Sequence, residues 1–284
     1  MPRLMTLPFR GGSSVTPEEA MPEGEGREAA KPSGRLLEMT LCHVRYGLVP
    51  ALRGVSLHVD RGEMVALLGA NGAGKTTTLR AISGLIHPHA GEIRFNGERI
   101  DQLSPPQVVR RGIAHLPEGR DLFPQLSVKE NLRYGYWPQR KDRAGYHGQL
   151  EEVLEAFPRL RERASQKAGT LSGGEQQMLG VGMALMSRPT LLIVDELSLG
   201  LAPRIVAQLF EILTMVNQRG TSILLVEQFV PLALANTHRA YVLAKGEVAV
   251  AKASADLKDD PDLVASYLGG AVAAEGSVKS GSSV

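Results

Sequence analysis

The sequence predicts an α/β fold in which a mainly parallel sheet is covered by helices, with an N-terminal antiparallel β layer and an inserted helical subdomain. Three observations predict it. An apolar run, Met64 to Leu68, leads into the loop Gly69-Ala70-Asn71-Gly72-Ala73-Gly74-Lys75-Thr76-Thr77, which opens a helical stretch ending near Gly84. A second apolar run, Leu191 to Val194, ends in the carboxylates Asp195 and Glu196. From Pro203 the chain alternates again: a helix to Gln218, a strand from Thr221 to Val226, and short strands at Tyr241 to Ala244 and Val248 to Val250. Unbroken apolar strands joined by helical crossovers are how a parallel sheet buries both faces.

The loop fits the P-loop pattern G-x-x-x-x-G-K-[ST]. Its glycines let backbone N–H groups wrap an anionic phosphate, and the helix N-terminus adds partial positive charge. In that arrangement Lys75 reaches the β- and γ-phosphates and Thr76 ligates Mg²⁺. A plain glycine-rich turn leaves Lys75 unexplained.

In chain order, residues 1 to 34 are rich in Pro, Gly, Ser and Glu and predict a disordered tail, as residues 271 to 284 predict a flexible one. The body between them, 35 to 270, reads as one domain. Leu36 to Val59 forms two β-like runs broken at Gly47 to Pro50, and Tyr46, taken by itself, reads as a core tyrosine. Glu92 to Ile100 predicts a hairpin turning at Asn96-Gly97. His115 falls in an apolar strand and reads as a satisfied core residue.

Between about 119 and 172 the composition shifts to mixed charge with helical spacing, placing Leu150, Val153, Leu154 and Phe157 on one face. Tyr134, Tyr136 and Trp137 lie here, and local core packing is the simpler reading than a docking surface. Ser172, Gly173 and Gly174 then precede a helix running from near Glu175 to Ser187, a second anion-friendly helix start. Adjacent residues on extended chain point to opposite sides, so Asp195 and Glu196 serve different jobs, one holding Mg²⁺ and one addressing an attacking water. Glu227-Gln228 closes the next strand.

Composition excludes several classes. The formal net charge of the 284 residues is +2, and the first 35 carry five basic and five acidic residues, so no basic arm announces nucleic acid. The one cysteine, Cys42, forms no internal disulfide and fits a reducing compartment, and the seven histidines include no H-x-x-x-H pair. No apolar run approaches the roughly 20 residues needed to span a bilayer, so a membrane role comes through partners.

Together, Gly69 to Thr77, Leu171 to Gln177 and Leu191 to Glu196 resemble, in order, the Walker A, signature and Walker B motifs of ABC transporter ATPase subunits. The resemblance covers about Leu36 to Gly270. Within that family Pro117-Glu118-Gly119, Arg120 to Leu132, Leu199 to Pro203, Val226 to Gln228 and Ser266 to Gly270 are similar to branched-chain amino acid importers, and more narrowly to their F-type ATPase.

The resemblance implies a head-to-tail ATPase dimer in which ATP lies between one Walker A and the other subunit's signature. It implies that Lys75, Thr76 and Asp195 bind triphosphate and Mg²⁺, and that Glu196 polarises the attacking water. It implies that Ser172, Gly173 and Gly174 clamp the γ-phosphate held by the partner, and that Ser198 to Leu201 cross the interface. Tyr46 then matches the family's adenine-stacking aromatic.

Two positions depart from the family's usual pattern. Its glutamine between core and helical subdomain is Glu118 here, a hard oxygen able to join the Mg²⁺ ligands, and its switch histidine is Gln228. The implied partners are transmembrane permease subunits, a second ATPase subunit and, indirectly, a periplasmic or surface solute-binding protein, at the cytoplasmic face of the membrane. The rival readings are a catalytically weak regulatory subunit, an importer of urea or amides, and an ABC protein acting on ribosomes or DNA, which the near-zero charge and single cassette disfavour.

Overall fold

The computed structural model describes residues 34–119 and 121–259. The expected tails, apart from Gly34, and the Ser266 to Gly270 segment lie outside these residues. In chain order the elements are β1 (Arg35–Tyr46), β2 (Val49–Asp60), β3 (Met64–Gly69), α1 (Lys75–Ile82), β4 (Ala90–Phe95), β5 (Glu98–Arg99), α2 (Pro105–Arg110), β6 (Ile113–Leu116) and α3 (Val128–Gly135). There follow α4 (Gly145–Ala156), α5 (Pro158–Glu162), α6 (Gly173–Met186), β7 (Leu191–Asp195), α7 (Pro203–Gln218), β8 (Ser222–Val226), α8 (Val230–Asn236), β9 (Arg239–Ala244), β10 (Glu247–Ala253) and α9 (Ser254–Lys258), with short 3₁₀ turns at Trp137–Gln139 and Ala168–Thr170.

Two sheets form. An antiparallel one has the order β2-β1-β4-β5, and a mixed one the order β10-β9-β3-β8-β7-β6, parallel throughout except where β10 pairs with β9. The predicted Asn96-Gly97 turn is present: both residues have positive φ, 53° and 78°, as a two-residue hairpin with the right twist requires.

Strands β3, β7 and β8 are buried along their whole length. Alternation sorts their side chains between the two faces of the sheet, with Ala66 and Leu68 of β3 joining α8 and α9 in a smaller third cluster. Val65, Leu67, Ile193 and Leu224 join β1, β2, β4 and α1 on one side, whereas Met64, Leu192, Val194, Ile223 and Leu225 join α3, α4, α6 and α7 on the other. Leu150, Val153, Leu154 and Phe157 are buried as their spacing predicts. Asn131, at the centre of the helical insert, is fully buried because its amide answers the backbone of Phe123, Leu126 and Ser127.

The differences from expectation are informative. Helix α6 starts at Gly173, two residues earlier than predicted, because Ser172 and Glu175 form a reciprocal capping box. The short helices α2, α8 and α9 carry too few turns for a periodic signal. Tyr136 is buried, but Tyr134 and Trp137 are 51% and 62% exposed, so the core-packing reading of those two is corrected. Among the described residues no helix is long and apolar enough to cross a membrane. Cys42 lies buried on β1, and burial pushes its thiol up to about 11.

His115 is only half satisfied. One ring nitrogen lies 3.2 Å from the Ser83 hydroxyl, while Nε2 is buried without a partner. Burial, reinforced by Arg80, lowers its pKa to about 4. The unfolded chain therefore takes up a proton that the folded chain refuses, and stability present above about pH 6.5 is lost as the pH falls toward 4. Denaturant titrations at pH 7 and pH 5 should show the parent chain losing about 2 kcal/mol more than His115→Gln. Equal losses would mean that His115 is freely protonated in the fold.

Candidate functional site

Parallel pairing brings the candidate residues to one edge. Val226 is paired with Leu67 of β3 and with Asp195 of β7, so the segments leaving all three strands emerge side by side at their C-terminal ends. That is where ligands sit in open α/β sheets. A cleft of about 410 Å³ opens there, lined by Asn71, Gly72, Gly74, Lys75, Thr76 and Thr77 and also by Ala51, Glu118, Glu196 and Gln228.

Within the loop, Lys75 is buried and its Nζ donates to the carbonyls of Gly69 at 2.8 Å and Ala70 at 3.3 Å. Gly74 has φ 110°, and a Cβ there would come within 2.8 Å of Leu52 and 3.1 Å of the Ala51 carbonyl. Only glycine fits where the loop passes that close to β2. Helix α1 begins at Lys75 without a side-chain cap, which leaves its first N–H groups facing the loop.

Tyr46 ends β1 with its ring 47% exposed and its hydroxyl 3.5 Å from Thr77 Oγ1. The core reading fails for this residue. The residue is nearly half exposed beside the glycine loop, in reach of a ligand bound there.

Asp195 and Glu196 are separated by a turn rather than by the pleat. Strand β7 stops at Asp195, and Glu196 takes a left-handed φ of 51°, so the alternation expected of extended chain does not apply between these two residues. The Asp195 carboxyl is pushed up to about 6 by burial first and then by the charges of Glu196 and Glu118; Lys75 and a hydrogen bond from Thr76 pull it down. Its Oδ1 is buried with no partner.

Three carboxylates facing one ammonium make a place under-neutralised by the protein itself. Among the described residues no group of three or more His, Cys, Asp or Glu could hold a metal ion unaided. The Thr76 hydroxyl and the orphaned Asp195 oxygen therefore suit a hard cation whose other ligands come with a phosphate-bearing molecule.

Gln228, just past β8, donates from Nε2 to Glu196 Oε2 at 2.8 Å. Its neighbour Glu227, to which the sequence reading gives no role, is buried and accepts from the Ser198 backbone N–H at 3.0 Å and hydroxyl at 2.5 Å. The available signal was a carboxylate directly after a wholly apolar strand, which burial obliges to find donors.

Ser172, Gly173 and Gly174 are placed together at the start of α6 but do not line the cleft around Lys75. Gly174 has a packing reason as well: a Cβ would meet Ile205 of α7 at 2.8 Å. Within one chain the two glycine-containing helix starts thus serve separate surfaces.

Comparison with known proteins gives consistent findings. A family model described as "ABC transporter" matches residues 52–198. The chain is 48% identical to the high-affinity branched-chain amino acid transport ATP-binding protein BraG of Pseudomonas aeruginosa, over 79% of this chain and 96% of that protein. It is 28% identical to BraF, a second ATP-binding protein so named in the same bacterium, over 82% and 98%. A solved structure titled as the ATP binding subunit of an ABC transporter superposes with a TM-score of 0.72 at 33% identity, covering 80% of this chain and 94% of that one.

The exposed ring of Tyr46 yields a direct test. Tyr46→Ala should weaken binding of adenine nucleotides by about tenfold, the upper range for one aromatic stack, while Tyr46→Phe stays within about twofold. Titration calorimetry with ATP decides it, and unchanged affinity in the alanine variant rules the stacking role out.

Proposed function

The chain belongs to the ABC transporter family, and on that footing we propose that it is the ATP-hydrolysing subunit of an importer for branched-chain or related hydrophobic amino acids. The observation that carries this reading is the cleft joining Lys75, Thr76, Glu196 and Gln228 at the ends of β3, β7 and β8. In this reading ATP is the substrate. Lys75 and the loop N–H groups hold its phosphates, Tyr46 stacks on its base, and Thr76 and Asp195, with Glu118 close by, hold Mg²⁺. The ion would offset phosphate charge.

Glu196 then orients and deprotonates the attacking water from the side of the cleft opposite in role to Asp195. Ser172, Gly173 and Gly174 act in trans, closing over the γ-phosphate bound to a second ATPase subunit. Similarity to two differently named ATP-binding proteins of one bacterium, at 48% and 28%, supports a partner that is related but not identical.

Coupling needs a surface for the permease. Phe123, Tyr134 and Trp137, all exposed, line a groove of about 730 Å³ with Pro105, His115 and Met183. An apolar groove with large exposed aromatic side chains suits an amphipathic segment of a membrane partner. Through it the chain would sit at the cytoplasmic face as a peripheral subunit.

Two outcomes follow. Glu196→Gln should keep ATP affinity within about twofold, reduce turnover by about a hundredfold or more, and accumulate an ATP-bound dimer visible by size-exclusion chromatography. Normal turnover would exclude Glu196 as the base. Second, the amide of Gln228 has no titratable proton and cannot become charged as a histidine can, and it occupies one Glu196 oxygen, so the site built on this chain's Lys75 should be the slower of the pair. In the assembled transporter, Lys75→Ala should leave more than half the ATP turnover, and the equivalent change in the partner ATPase should remove most of it; equal losses would overturn the asymmetry.

A further inference from the structure

Glu227 has no place in the chemistry above, yet it is buried at 1% exposure and fully engaged. Burial raises its pKa, and the donors that hold it as a carboxylate are Ser198 through both hydroxyl and backbone N–H, with the Gln228 backbone N–H beside them. Ser198 begins the loop Ser198 to Leu201. That loop carries Leu199 at 49% exposure and turns at Gly200 with φ 69°. Its remaining internal bonds are two long ones, Leu199 N–H to the Glu196 carbonyl at 3.4 Å and Leu201 N–H to the Ser198 carbonyl at 3.2 Å.

The carboxylate of Glu227 is thus the strongest polar tie of a loop whose Leu201 packs against the core while Leu199 faces outward. The same strand end tethers the Glu196 carboxylate through Gln228 at 2.8 Å. One dipeptide, Glu227-Gln228, therefore holds both the loop after β7 and the base that precedes it.

We propose that Glu227 is a positioning residue for the dimer interface: its carboxylate sets the presentation of Ser198 to Leu201 to the second ATPase subunit and locks that presentation to the geometry of Glu196. The inference rests on the two-subunit reading above. Loss of the carboxylate should leave ATP binding by the single chain intact and impair the closed dimer, because the Glu227 side chain neither lines the cleft nor belongs to the glycine loop.

The test uses the full chain carrying Glu196→Gln, in which ATP accumulates the closed dimer. Adding Glu227→Leu should raise the ATP concentration needed for half-maximal dimer at least tenfold, with ATP affinity of the monomer within twofold. Adding Ser198→Ala, which removes only the 2.5 Å contact, should raise it about threefold, and the two changes together should exceed Glu227→Leu alone by less than twofold. Should Glu227→Leu fail to fold, Ser198→Ala and Glu227→Gln, the latter keeping one acceptor, decide the matter with effects of about threefold. Unchanged dimerisation in all folded variants, or monomer affinity falling in step with it, overturns the proposal. Absence of any ATP-dependent dimer in the Glu196→Gln parent would instead overturn the two-subunit reading itself.

Discussion

Parallel pairing of β3, β8 and β7 is the constraint from which the site follows. Because Val226 pairs with Leu67 on one side and Asp195 on the other, the glycine loop, the Glu196 turn and the Glu227-Gln228 step leave the sheet at one level. A register slip of one residue in any of the three would send the side chains packed on one face into the core on the other and carry its polar end residue away from the others. Burial on both faces forbids such a slip. The same apolar uniformity that makes these strands featureless as sequence makes the site exact as geometry.

The charge pattern there is a second consequence of convergence. Asp195, Glu196 and Glu118 bring three acidic groups near the single ammonium of Lys75, and the cost shows in the raised pKa of Asp195. Lys75 meanwhile spends its donors on the carbonyls of its own loop. Such an arrangement is poor for stability and suited to binding, since a ligand bringing both phosphate and cation satisfies the ammonium and the carboxylates together.

Much of this was legible in the sequence, for physical reasons that differ by residue. The glycine loop was legible because backbone chemistry dictates its residue types at fixed spacing. The apolar strands and the helix Pro203–Gln218 were legible because period and length agree. Tyr46 was legible only through the family resemblance, because nothing local distinguishes a tyrosine at the end of an edge hairpin from one in the core; the fold puts its hydroxyl 3.5 Å from Thr77 Oγ1. Trp137 and Tyr134 misled for the converse reason, since their neighbour Tyr136 is buried on the same helix end. The extended-chain argument for Asp195 and Glu196 missed the turn between them, because the left-handed backbone of Glu196 is a product of the sheet's end and leaves no mark in a two-residue motif. Glu227 was visible as a residue and silent as a partner, because Ser198 lies 29 positions away.

Cys42, the only cysteine, has its own practical consequence. Sealed on β1 with a pKa of about 11, it exposes about one thiolate in ten thousand molecules at neutral pH, far below an ordinary surface thiol. The chain is therefore a blank background for site-directed labelling: a cysteine introduced at an exposed position such as Leu199 or Trp137 would be the single reactive sulfur, and a probe there could report the motions of either surface without removing any native residue from the core.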